Sequence, residues 1–395
     1  MTASPTPPLG ERIAPGTADQ YLIDYISNKH FKRVFLVTGH RSFSWFEDRG
    51  FIDKLSDIAE VTRWSEARPN PEFLNLKEGL EEVAAANPDI IVGIGGGSVL
   101  DIAKLLAVLQ HRNPADVDAV TSGTLDLTTR EVHLALVPTT AGSGAEATHF
   151  SVLYRDGAKF SIAGSGLLPD HIVLDPGLVT SGDQMQLAAS GLDALCQCVE
   201  SMWAKSATDQ STKHAVEGLQ LVASSLVAFV HADDSLAGDV QWGSHLGGHA
   251  INTSKTTASH ALSYFLTMRF GVPHGIAVAS TLGYFIEHHS KMGTQNRNSA
   301  DIPDFALKQI RESLGLDEAD SAIEYFEALF GQLGLATPRS YWPQDSDSVN
   351  EWLRSANPER LGNHPVRLGK AELLQILNLE QEQQIRKAER HYSAG

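Results

Sequence analysis

Cysteine, basic charge and long apolar runs are what this chain of 395 residues has little of. Its two cysteines, Cys196 and Cys198, would point about 200° apart on a helix. That argues against a mutual disulfide and suits a reduced, cytoplasmic protein. Lys and Arg number 31 against 48 Asp and Glu, a formal net charge of −17. The basic footprint of a general nucleic-acid binder is therefore missing, and an anionic ligand would need a local basic pocket working against the global field. No apolar run approaches the ~20 residues of a membrane-crossing helix. The polar, proline-rich start MTASPTPPLGERIAPG has neither a basic opening nor an apolar stretch, so it is not expected to act as a secretory signal. No internal repeat is found. What the chain does have is length enough for two packed domains and 42% hydrophobic residues with which to fill their cores.

Taken in order, residues 18–29 carry a helical pattern, and RVFLVTG (33–39) reads as a buried strand ending at a glycine turn. A helix is expected next, then a short strand over Glu60 to Trp64, a loop at 67–71 and a helix from Leu74 to Ala86. PDIIVGIGGGSVLDIAKLLAVL (88–109) is the clearest local pattern: apolar strand, glycine cluster, amphipathic helix. Glycines at 95–97 let backbone N–H groups approach an anion, and Ser98 can cap a helix whose dipole favours phosphate; a plain glycine turn is the alternative. The spacing is neither GxGxxG nor the phosphate-loop pattern. VHLALVP (132–138) predicts another strand, followed by TTAGSGAEAT, whose small hydroxyl residues could bind a cofactor or simply form a flexible loop. HFSVLY and KFSIAG flank Asp156-Gly157, a strong hairpin signal, and HIVLDPGLV (171–179) predicts a last strand closing on Asp175-Pro176. This alternation implies an α/β domain with a largely parallel sheet over 1–180.

Beyond Ser181-Gly182-Asp183 helical periodicity dominates, with loops expected at 294–303 and 338–348, so an all-helical domain over 181–395 is predicted. It holds the most telling residues. Asp193 and Gln197 stand four apart, which puts them on one helix face, and His260 and His274 bracket a mostly apolar helical run. One carboxylate, one amide and two imidazoles could converge on a single metal ion.

GGGSVLD (95–101), PTTAGSGAEAT (138–148), LDPGL (174–178), GLDAL (191–195) and the two histidines of HALSYFLTMRFGVPHG (260–275), in that order, resemble the iron-dependent alcohol dehydrogenase family over most of the chain. The resemblance implies the fold shared with the dehydroquinate synthases: a Rossmann-like α/β dinucleotide domain followed by an all-α metal- and substrate-binding domain. It implies that Gly96, Gly97, Ser98 and Asp101 line a pyrophosphate site, that Thr139, Thr140 and Ser143 run along the dinucleotide, and that Lys159 lies near the nicotinamide ribose. Asp193, His260 and His274 match three metal ligands; the family's usual fourth is a histidine where this chain has Gln197.

A two-histidine, one-carboxylate set suits Fe(II) and can hold Zn(II). Gln197 could ligate through its oxygen, bind a metal water or leave the position open; alternatively the metal is lost and the histidines are ordinary pocket residues. The surrounding stretches 190–212 and 245–267 resemble the branch of the family that reduces phosphonoacetaldehyde to 2-hydroxyethylphosphonate, in which glutamine here is part of the pattern. A small anionic aldehyde is the implied substrate. Lys255, with Thr256, Thr257 and Ser259, is the candidate phosphonate site, with Arg269 and His249 as weaker ones; a surface lysine on a solvated loop is the alternative. Where the family often carries an aspartate that contacts the adenosine ribose, this chain has Gly39, beside His40 and Arg41, which favours NADPH while leaving NADH open. In the implied reaction a metal acts as Lewis acid on the aldehyde oxygen as hydride arrives, with Asp193, His260, His274 and Lys255 as the catalytic set and His149, His249 or Tyr264 as proton-relay candidates. The rival readings are a dehydrogenase for small non-phosphonate aldehydes, a lyase-type relative using bound nicotinamide transiently, and a catalytically silent binding protein. No nucleic-acid or membrane partner is expected. Dimers are common in the family, and nothing in the sequence marks an interface.

Overall fold

The structure is a computed structural model that describes residues 5–68, 71–295 and 304–379. Among the described residues the strands are β1 (Glu11–Arg12), β2 (Arg33–Thr38), β3 (Glu60–Trp64), β4 (Ile90–Gly95), β5 (His133–Pro138), β6 (Phe150–Arg155), β7 (Ala158–Ala163) and β8 (His171–Leu174). Helices α1 (Ala18–Asn28), α2 (Ser44–Glu47), α3 (Phe51–Ser56), α4 (Phe73–Ala86), α5 (Gly97–Leu109) and α6 (Pro114–Asp118) alternate with them. Then follow α7 (Gln184–Trp203), α8 (Asp209–Val230), α9 (Ala237–Ser254), α10 (Ala258–Phe270), α11 (His274–Gln295), α12 (Asp304–Ser313), α13 (Ala322–Gln332), α14 (Ser346–Arg354), α15 (Pro358–Asn363) and α16 (Lys370–Ile376).

The chain divides into two compact units: residues 1–183 with 232–252, and residues 184–231 with 253–395. The first is an α/β unit and the second is helical. Segment 232–252, most of α9 included, groups with the α/β unit, which a single cut near residue 180 does not anticipate.

In the first unit six parallel strands lie in the order β1-β8-β5-β4-β2-β3. Both faces are covered, and alternate residues of each strand serve different cores. Val34, Leu36, Ile90, Val92, Ile94, Ala135 and Val137 pack on one side. Phe35, Val37, Ile91, Leu134 and Leu136 pack on the other, with Leu100 and Leu105 of α5. Gly93 is needed where α5 lies closest to β4, since a Cβ there would sit 2.8 Å from that of Ala103. β6 and β7 form the expected antiparallel hairpin; Asp156 (φ 53°) and Gly157 (φ 75°) both take the left-handed conformation of a tight two-residue turn. The helix expected after β2 is two short helices. The final strand ends at Leu174, and Asp175 caps a single 3-10 turn over Pro176–Leu178, in line with a strand closing on Asp175-Pro176. β1 carries no apolar pattern and is visible only through its pairing with β8. The stretch 338–348, expected as a loop, instead opens with a 3-10 turn over Pro338–Tyr341 and ends inside α14. Of the loop expected at 294–303, residues 296–303 lie outside the described residues, as do residues 69 and 70 of the loop at 67–71. Among the described residues no helix is long and apolar enough to cross a membrane.

Candidate metal centre and dinucleotide loops

In the helical unit α7 is buried continuously from Gly191 to Trp203, so any polar group on it needs a partner. Asp193, Gln197 and Glu200 occupy positions i, i+4 and i+7, one face of this helix. His260 stands in the first turn of α10 and His274 opens α11. Gly275 makes the approach of α11 to α7 feasible: a Cβ at that position would fall 1.9 Å from the carbonyl oxygen of Ala189 and 2.9 Å from Cβ of Asp193.

The result is a cluster in which one ligand atom each from Asp193, His260 and His274 lies within 4.8 Å of the others. Asp193 Oδ1 is 3.3 Å from Nε2 of His260 and 3.9 Å from Nε2 of His274. The other nitrogen of each ring is turned to its own partner. His260 Nδ1 bonds Glu200 Oε2, and His274 Nδ1 lies 3.4 Å from Ser263 Oγ. Tyr264 stacks on His274 with ring centroids 5.9 Å apart. Burial pushes the Asp193 carboxyl upward, but the contacts from His260, His274 and Gln197 outweigh it and hold the group below its ordinary range. Burial likewise works against a charged His260, and the carboxylates of Glu200 and Asp193 more than reverse it, raising the pKa to about 9. An excess of negative charge around imidazoles whose Nε2 atoms face one carboxylate is the electrostatics of a cation site. Carboxylate oxygen and two imidazole nitrogens form a donor set that fits a divalent Fe or Zn ion. Gln197, 4% exposed, hydrogen-bonds Asp193, so its amide nitrogen braces that ligand. Glu200 received no role from sequence reasoning, although its i+7 spacing from Asp193 was available as a signal.

The other candidates of this unit are placed differently. Lys255, in the left-handed conformation (φ 57°) between α9 and α10, holds Glu359 Oε1 at 2.5 Å on the surface. The Thr257 hydroxyl and the Ser259 N–H donate to Glu200. Thr256 is buried, its carbonyl accepting from Asn363. Arg269 is exposed at the end of α10.

In the α/β unit the loops after β4 and β5, neighbouring parallel strands, meet at the carboxyl edge of the sheet. A Cβ on Gly96 would lie 3.4 Å from Thr140, and one on Gly97 would lie 2.6 Å from Ser143 Oγ. Thr139 is buried, its N–H donating to Gly95. Gly97 and Ser98 begin the 13-residue α5, whose free N–H groups and dipole point out of this edge. Gly39, His40 and Arg41 follow β2, whose connection runs to the opposite side from that of β4, the switch-point arrangement of dinucleotide-binding sheets. Gly39 N–H donates to Ser42 Oγ (3.2 Å), His40 lies 4.0 Å from Glu66, and Arg41 is exposed. Asp101 sits a full turn inside α5, 8% exposed, accepting from Val152 N–H (3.0 Å) with Lys104 Nζ 3.8 Å away. Burial pushes its pKa up to about 6, and that of Lys104 down to about 8. Asp101 ties the hairpin to α5. Lys159 is exposed on β7, away from both loops in sequence. His149 and His249 belong to this unit too; His249 Nε2 lies 3.1 Å from His245 Nε2.

Two family models match the chain in succession: iron-containing alcohol dehydrogenase over residues 13–176, and the C-terminal domain of the Fe-containing alcohol dehydrogenase family over 187–379. Among curated proteins the chain is 36% identical to phosphonoacetaldehyde reductase of Streptomyces viridochromogenes over 217 residues. That match covers 53% of this chain and 55% of the relative, so the chain spans about half the length of that protein. It is 35% identical to long-chain-alcohol dehydrogenase 1 of Geobacillus thermodenitrificans over 70% of this chain and 71% of that one. Among solved structures, sulfoacetaldehyde reductase of Bifidobacterium kashiwanohense in complex with NAD+ has the same fold, with a TM-score of 0.84 at 24% identity over 96% of this chain and 98% of that one.

Proposed function

The chain belongs to the iron-containing alcohol dehydrogenase family, and from that premise we propose that it reduces phosphonoacetaldehyde to 2-hydroxyethylphosphonate with NADPH and a divalent metal, Fe(II) or Zn(II). The observation that carries the reading is the cluster of buried Asp193 and His260 with half-buried His274, and with Gln197 four residues after Asp193 on the same helix face. The similarity to a phosphonoacetaldehyde reductase supports the choice of substrate.

Asp193, His260 and His274 would hold the metal, with Gln197 bracing Asp193. When bound, the metal supplies Lewis acidity toward an aldehyde oxygen and the nicotinamide supplies hydride. The chain's own contribution begins with burial: Asp193 and His260 are 7% and 4% exposed, so charges at the cluster act in a poorly screened setting. Ser263 Oγ beside His274 Nδ1 helps keep Nε2 of that ring for coordination. In the α/β unit, the α5 N-terminus with Gly96, Gly97 and Ser98 would take the pyrophosphate, and Thr139, Thr140 and Ser143 would flank the dinucleotide. Lys159 is the candidate for the nicotinamide ribose. With no carboxylate at Gly39 to repel a 2′-phosphate and Arg41 exposed beside it, NADPH is the preferred form. Two buried free thiols, Cys196 and Cys198, suit a reducing, cytoplasmic compartment. For the anionic end of the substrate, Lys255 is the nearest cation in sequence to His260, and its pairing with Glu359 means that a phosphonate would have to displace a carboxylate.

That pairing favours a second reading, a reductase of neutral aldehydes, as does the broader match to a long-chain-alcohol dehydrogenase. Metal-analysed protein should be offered phosphonoacetaldehyde and propanal with NADPH and with NADH. Preference for the phosphonate with NADPH is expected. Preference for propanal would move the protein to the second reading, and substrate turnover without net nicotinamide consumption would refute both.

A further inference from the structure

We infer that Glu200 is a positioning residue that fixes the tautomer and basicity of His260, in place of the support a fourth imidazole would give; this rests on the metal reading above. Glu200 is completely buried on α7, one turn beyond Gln197. Its two oxygens face donors only. Oε1 accepts from Thr257 Oγ1 (2.8 Å) and from Ser259 N–H (2.8 Å). Oε2 accepts from Thr257 N–H (3.2 Å) and from His260 Nδ1–H. The Thr257 hydroxyl is itself oriented, because Trp203 Nε1–H donates to its oxygen (2.9 Å) and leaves its proton for the carboxylate. Thr257 and Ser259 stand at the N-terminus of the 13-residue α10, where backbone N–H groups and the helix dipole favour a negative charge.

A carboxylate placed this way has to be ionised, and once ionised it requires a proton on Nδ1 of His260. The lone pair is then confined to Nε2, the nitrogen that faces Asp193. Hydrogen bonding to an anion also makes Nε2 a stronger donor. Glu200 thus anchors the short link between α9 and α10 and the start of α10 that carries His260, and it places a second negative charge next to a site whose fourth side chain is a neutral amide.

Glutamine at position 200 tests this sharply, because it is almost isosteric and yet brings an NH2 group where every neighbour is a donor. In either orientation the amide faces a donor with a donor, and one orientation offers a proton to Nδ1 and drives His260 to the tautomer that cannot ligate through Nε2. Zn2+ affinity of the full chain would be read by chelator competition, with the visible spectrum of the Co2+-loaded protein as a second signal. Glu200→Gln is expected to weaken Zn2+ binding on the order of 10- to 100-fold and to alter the cobalt bands. Because the effect runs through His260, Glu200→Gln added to His260→Ala should cost nothing further in affinity, whereas a merely structural role predicts additive losses. Glu200→Asp, which keeps the charge, should recover part of the affinity, and it carries the test if Glu200→Gln does not fold. Wild-type affinity and cobalt bands in Glu200→Gln, or in Glu200→Asp where that variant stands in, overturn the inference while leaving the metal reading intact. Absence of Zn2+ and Co2+ binding in the wild type overturns both.

Discussion

Gln197 shows how a single side chain changes what a site can hold. An amide oxygen is a neutral, weaker donor than an imidazole, and here the amide also hydrogen-bonds Asp193, so part of its bonding capacity is spent on a neighbouring ligand. Gln197→His would exchange that brace for a fourth donor on the same helix face, the set that suits a closed tetrahedral site. Zn2+ affinity measured by chelator competition should rise at least about tenfold, a gain of ~1.4 kcal/mol. An unchanged affinity would mean that the side chain at 197 does not reach the ion. Lys255 provides the second test at this scale. Its ion pair with Glu359 is exposed and contributes little stability, so Lys255→Ala should leave Tm nearly unchanged. If the ammonium holds the phosphonate, the same variant raises KM for phosphonoacetaldehyde by about tenfold or more, the scale of a charge-assisted contact. KM for propanal should stay as it was, and equal effects on the two substrates would remove Lys255 from the site.

At the scale of elements, the cluster depends on how closely α11 can lie on α7. Gly275 follows His274 directly, and the space beside it is already filled by the Ala189 carbonyl and by Asp193. Gly275→Ala should therefore push the start of α11 outward and move His274 from Asp193, lowering Zn2+ affinity by about two orders of magnitude, together with a loss of stability of a few kcal/mol. Retained Zn2+ affinity would show that the helix can tilt without moving the ring. The elements themselves were largely legible: β2 and β4 are apolar runs that end at glycine, β5 is an apolar run, the hairpin is marked by Asp156-Gly157, and 88–109 reads directly as β4 and α5. Less legible was what depends on contacts between distant residues. β1 is two exposed residues that pair with β8. The grouping of α9 with the α/β unit rests on Gly248 fitting against Gly144, His245 bonding Glu146 and Gln241 bonding the Asp175 carbonyl, none of which alters the helical periodicity of the segment. In the site, Asp193, His260 and His274 were legible from spacing and resemblance; the i+7 spacing put Glu200 on the face of Asp193, but its role rests on donors from α10 that the spacing does not reveal. The bond from Val152 N–H to Asp101 was likewise not visible in the sequence.

For the molecule as a whole, the response to acid follows from histidines that the fold keeps neutral. His289 on α11 and His364 after α15 are 2% and 0% exposed, with Nε2 atoms 3.2 Å apart and Trp203 edge-on to both rings. Burial pushes His289 down to about 3, with His288 adding to the shift, and holds His364 well below its usual range, helped by His289 and Lys205. Both folded pKa values are depressed, so the contribution to stability is present above the unfolded value of about 6.5 and is lost as pH falls from there toward 3. In that window the unfolded chain binds protons that the folded chain cannot, at up to ~1.4 kcal/mol per pH unit for each ring. The urea midpoint should accordingly fall between pH 7 and pH 5. Replacing both rings, as His289→Leu with His364→Leu, removes the paired nitrogens together and substitutes side chains of similar volume, so stability at pH 7 should change little. The acid limb should then flatten, and a double variant that keeps the full slope between pH 7 and pH 5 would place the acid sensitivity elsewhere, among the carboxylates of a chain carrying a formal charge of −17.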